Sequence, residues 1–303
     1  MASKAMGLDH VTLLCFFASY LVALVLEISQ LYRQSQGRRW IAMTFIAAGL
    51  VAHTAYLLNR SHNSHLPPLL SSAHDWLLVL SWLAVVLLLA VQAWNWHLGV
   101  GLFALPPVVL MVGASRFVSQ DRAFETIDLY GLRMLHASLW VLGIAGVTVS
   151  FVLSLMFLAQ HRRLKLKRAL PGELRLFSLE RLGRWNWWGV ILCVPLLTLA
   201  MITGILLVFW SRAANQPVSF VQSGFLLTAI VWLGMAILFG WLIAARHPGG
   251  RSVAWRTMWA CGLLLTLLLA QQVFSKGGIH GQGTRPEMKA AAGPQPGLEV
   301  RAS

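Results

Sequence analysis

Apolar residues run through this chain in long unbroken blocks, separated by short polar stretches. The blocks lie at about 9–32, 40–59, 74–93, 97–114, 133–160, 185–210, 220–245 and 253–274. Crossing a bilayer as a helix takes roughly 20 predominantly apolar residues, and each block supplies close to that. The pattern predicts an all-α polytopic membrane protein with about eight transmembrane helices. Residues 1–283 form its transmembrane domain, and 284–303 a polar, disordered C-terminal tail. The first apolar run is long for a signal-peptide core and no A-x-A cleavage site follows it, so it reads as a retained helix. Pro106 and Pro107 fall inside the fourth block and predict a kink. The connection between blocks three and four is so short that those helices should be antiparallel neighbours.

Composition strengthens this picture. The 303 residues are 57% hydrophobic and 11% charged, against about 25% charged in a soluble domain. The formal net charge is +14. The basic residues lie in loops and lack the interleaved aromatics of a stacking surface, which argues against nucleic acid. They set orientation instead. Arg33, Arg38 and Arg39 fall in loop 1–2. Arg162, Arg163, Lys165, Lys167, Arg168, Arg175, Arg181 and Arg184 fall in loop 5–6. Arg246, Arg251 and Arg256 flank loop 7–8. That side should be cytoplasmic, which puts both termini outside and the lipid bilayer between. Most tryptophans fall near block ends, as an interfacial belt does; Trp82 and Trp232 sit deeper and read as packing residues.

Cys15, Cys193 and Cys261 all lie in apolar blocks and form no CxxC or CxxCH, so neither a redox pair nor covalent haem attachment is encoded. No HExxH, GxSxG, Walker loop or paired intramembrane carboxylate occurs. Glu27, near the cytoplasmic end of the first block, fits a solvated headgroup position.

Histidine placement carries the candidate chemistry. His10, His62, His65, His74, His136 and His280 map to the outer side; His97, His161 and His247 map to the inner side. His53 alone lies deep inside a block. An ionisable residue there is a functional candidate, and Ala48, Gly49 and Ala52 beside it let a helix or a flat ring approach closely. His136 opens the fifth block in GLRMLHASLWVLGIAG. His280 lies in SKGGIHGQG, just past the eighth. Two imidazoles at one depth can supply both axial ligands of a haem iron.

LHASLWVLGIAGVTVSFVLSLMFLAQHRRLKLK, SLERLGRWNWWGVILCVPLLTLAMITGIL, and GRSVAWRTMWACGLLLTLLL followed by SKGGIHGQG together resemble the cytochrome c assembly family, the CcsA/HemX-like haem-handling membrane proteins. VAHTAYLLNRSHNSHLPPLLSSAHDWLLVLSWLAV and LGVGLFALPPVVLMV extend the likeness over most of the chain. The resemblance implies a haem-binding protein of the bacterial plasma (inner) membrane acting in cytochrome c maturation. Haem b, held non-covalently, would be translocated to or presented at the outer face for attachment to apocytochrome c, with a second membrane assembly subunit as partner. It implies His136 and His280 as the axial pair on iron and His53 as an intramembrane haem-binding residue. The tryptophan-rich WGxxWxWD-like segment of full haem-delivery members is absent: VFWSRAANQPVSFVQSG keeps only Trp210. The span corresponding to seven also lacks a histidine. These departures place the chain nearer the shorter HemX-like branch, and imply an alternative as a scaffold or regulator of haem and tetrapyrrole biosynthesis. Any haem-lyase chemistry would belong to a complex.

Overall fold

The computed structural model describes residues 12–32, 35–64, 72–95, 98–118, 130–165, 176–213, 223–244 and 250–274. These residues form eight α-helices: α1 (Leu13–Ser29), α2 (Gln36–Ser64), α3 (Ala73–Trp94), α4 (Gly101–Ser115), α5 (Tyr130–Lys165), α6 (Leu179–Ala213), α7 (Ser223–Ala244) and α8 (Gly250–Phe274). Five stretches are long and apolar enough to cross a membrane: Gln36–His62, His74–Trp94, Tyr130–Lys165, Leu179–Trp210 and Gly250–Gln271. Leu13–Ser29, Gly101–Ser115 and Trp232–Trp241 are shorter apolar helices. The chain is therefore a helical membrane protein, with every helix where an apolar block predicts one. The 284–303 tail lies outside the described residues.

Helix starts follow local chemistry. Ser72 is extended (φ −157°, ψ 164°), and its hydroxyl accepts from the Asp75 amide at 3.2 Å. That cap satisfies one of the four donors a helix start leaves open. Pro106 and Pro107 both sit inside α4, which runs uninterrupted through them.

Helices α5 and α6 pack antiparallel, as the order of their contacts shows. Along α5 and α6, His136 meets Gly204, Gly143 meets Leu197, Gly146 meets Cys193, and Ser150 meets Gly189. Further along, the Ser154 hydroxyl donates to Asn186 Oδ1 at 3.0 Å, and Phe157 meets Gly183. Lipid tails are as apolar as leucine, so membrane helices associate through close packing of small residues and interhelical hydrogen bonds. This seam has both. A Cβ on Gly146 would stand 2.8 Å from Cys193 Cβ, a distance that allows nothing but glycine without movement. Helix α8 also packs on α5, where Gly250 faces Phe157 and Gly262 faces Phe151.

The first four helices form a second packed group. Gly49 of α2 lies under the Tyr20 ring of α1. Phe17 of α1 reaches Gly113 of α4. Trp82 of α3 donates to the Thr54 hydroxyl of α2 at 2.8 Å. Trp232 of α7 does the same to Thr198 of α6 at 3.1 Å. Both deep tryptophans therefore join helices, as their depth predicts.

Candidate functional site

His136 stands seven residues into α5 and leans onto α6. Its Nδ1 lies 2.9 Å from the Ala200 carbonyl oxygen and 3.1 Å from Thr203 Oγ1. The Thr203 hydroxyl already donates to the Leu199 and Ala200 carbonyls, each at 2.9 Å. A carbonyl can only accept, so Nδ1 carries the proton and donates to both oxygens. The Nε2 lone pair is left free, with no hydrogen-bond partner among the described residues. A metal-binding imidazole has this form: one nitrogen pinned by a backbone carbonyl, the other presented. Gly204 makes room for the ring. A Cβ there would lie 2.9 Å from His136 Cε1 and 3.4 Å from Nδ1.

Trp210 follows Thr203 by two turns on the same side of α6, about 10 Å further along the axis. It is 54% exposed, and so offers an uncovered aromatic face. His280 lies outside the described residues.

His53 is fully buried between α1 and α2. Phe16 stacks on it with ring centroids 4.2 Å apart and planes 5° from parallel. Its Nδ1 pairs with the Tyr20 hydroxyl at 3.3 Å, and its Nε2 is buried without a partner. A buried, unpaired imidazole nitrogen is uncommon. The close approach that Gly49 permits is taken by the Tyr20 ring. The neighbours of His53 and His136 do not overlap: one lies in the α1–α2 packing, the other on the α5–α6 seam.

Two polar clusters form that the sequence does not announce. At one end of α2, α3 and α4, His74 Nδ1 donates to the Ser115 carbonyl at 2.7 Å, and its Nε2 faces the Tyr56 hydroxyl at 3.5 Å. Tyr56 is also hydrogen-bonded to Arg60, and Arg60 pairs with the fully buried Asp75. The relay ties three helices together. The second cluster corrects the expectation for Glu27. It is buried, not solvated; its Oε1 lies 3.5 Å from Gln92 Nε2. A Cβ on Gly101 would lie 2.7 Å from that oxygen. The carboxylate thus sits at the start of α4, where a helix favours negative charge, and Val100 supplies no side-chain cap. The signal in sequence is a lone acid in an apolar helix, but its partners lie 65 and 74 residues away. The described residues gather no group of three or more His, Cys, Asp or Glu side chains able to hold a metal ion.

No family model matches the chain, and no solved structure matches it. Among curated proteins, Protein HemX of Brevibacillus brevis is 29% identical over 135 residues, covering 45% of this chain and 47% of that protein. The chain thus spans about half the length of the relative it matches.

Proposed function

We propose that this chain is a haem-binding protein of the bacterial plasma membrane that serves cytochrome c maturation. It would present haem b at the outer face for attachment to apocytochrome c, beside a second membrane assembly subunit. The observation that carries this reading is His136, whose Nδ1 is fixed by Ala200 and Thr203 while Nε2 stays available. We read all eight helices as crossings with both termini outside, so that His280 joins His136 on one face as the axial pair. Trp210 would flank the macrocycle, and His53 with its unpaired Nε2 would be the residue that holds haem within the bilayer. When bound, the group would supply an iron that takes imidazole nitrogens as ligands. The chain's part is to hold neutral imidazoles in place and keep one tautomer of His136.

A second reading is favoured by the name of the matched relative. The chain would be a HemX-like scaffold or regulator of haem and tetrapyrrole biosynthesis that transfers no haem.

The test is the absorption spectrum of detergent-purified protein supplied with haem, beside His136→Ala and His280→Ala. The expected result is a Soret band that both substitutions weaken or shift. A wild-type protein without a Soret band sinks the haem-binding reading. A Soret band together with undiminished cytochrome c maturation in cells lacking the protein leaves the second reading in place of the first.

A further inference from the structure

Helix α8 presents one uncovered face. Ser252, Trp255, Arg256, Trp259 and Leu263 are all exposed along it, and Trp255 and Trp259 meet edge to face at 6.0 Å. Arg256 stands at the edge of this stripe and is exposed, yet it is not loose. Its guanidinium lies 3.9 Å above the ring of Trp241 on α7. An aromatic face under a guanidinium holds the plane and leaves the N–H edges pointing outward.

Among the described residues, no carboxylate stands against that charge. No Asp or Glu occurs between residues 181 and 286, so α7, α8 and their connection contain none. Among the described residues Arg256 has no ion-pair or hydrogen-bond partner. Glu180 at the start of α6 is already engaged by Arg184 at 2.6 Å. Arg256 is the seventh residue of α8, about 9 Å along its axis from the first, within the stretch long enough to cross a bilayer. A cation at that depth needs a counter-ion or must reach the headgroup layer.

We propose that Arg256, held on Trp241, binds the phosphodiester of an anionic phospholipid, whose glycerol and upper acyl chains lie along Trp255, Trp259 and Leu263. Planar bidentate donors suit a phosphate, and basic pockets between membrane helices select anionic headgroups. The Trp241 platform orients the fork, and the tryptophan stripe sets the lipid's depth.

The test uses the full chain reconstituted in bilayers of phosphatidylcholine with a minority of phosphatidylglycerol, then extracted and weighed by native mass spectrometry. Wild-type protein should retain phosphatidylglycerol in preference to phosphatidylcholine. Arg256→Gln should lower that retention about fivefold, the share of one interfacial arginine. Trp241→Leu, which keeps the charge and removes the platform, should also lower it, while Arg184→Gln should not. Equal retention of the two lipids by wild type overturns the proposal without reference to any variant. So does unchanged retention in Arg256→Gln, or a lipid-free wild-type dimer that Arg256→Gln separates.

Discussion

The Nδ1 of His136 and the carbonyl of Ala200 face each other at 2.9 Å across the α5–α6 seam. That contact fixes which nitrogen carries the proton, and so which one can bind metal. Ligation needs the free nitrogen unprotonated. Haem binding is therefore expected to weaken as pH falls, because the proton and iron compete for Nε2. Soret absorbance followed from about pH 8 to about pH 5 checks this; a band that stays constant down the series contradicts it.

The space above Gly204 is as necessary as the imidazole. Gly204→Val would place carbon where the His136 ring lies, and overpacking of this kind costs about 1–3 kcal/mol. The expected outcome is a haem-titration defect close to that of His136→Ala with the helical circular dichroism retained. Gly131 has nothing near its Cβ position, so Gly131→Ala is the control that should leave the titration unchanged.

Arg60 and the fully buried Asp75 form the ion pair of the α2–α3–α4 relay. Removing one member leaves the other charge buried, a change that costs about 3 kcal/mol or more. Arg60→Gln and Asp75→Asn should each lower the thermal midpoint in detergent. The double substitution should recover part of the loss, since neither charge is then left alone. A double variant at the sum of the two singles would show that the pair is not coupled.

Two kinds of interhelical contact should differ in weight. Trp232→Phe removes a single hydrogen bond to Thr198, and such bonds inside membranes average about 0.6 kcal/mol. Gly146→Val forces α5 off Cys193 of α6 and should cost about 1–3 kcal/mol. Unfolding in mixed detergent should rank them in that order. The reverse order would move the weight of this bundle from packing to hydrogen bonding.

The positions of the helices are legible in the sequence because a bilayer imposes one length on every apolar block. Trp82, Trp232 and His53 can be placed by depth alone, for the same reason. What depth does not give is azimuth, the side of the helix a residue faces. Glu27 looks like a headgroup residue until α3 and α4 turn Gln92 and Gly101 toward it. Asp75 stands at the start of the third apolar block with no partner marked in the sequence until Arg60, fifteen residues earlier on α2, folds back onto it. His136 stands between these cases: sequence marks it as a ligand candidate, but only the α6 carbonyl decides which nitrogen it presents. His280 is marked by sequence alone.

The fifteen residues of α4 have a mechanical consequence. At 1.5 Å per residue the helix is about 22 Å long, whereas the hydrocarbon layer is about 30 Å thick. If α4 and its neighbour α1, itself only seventeen residues, both cross as proposed, the lipid beside them has to thin to meet this face. Such a deformation is elastic and grows with acyl-chain length, so this face would favour a bilayer of short chains and respond when the membrane thickens around it.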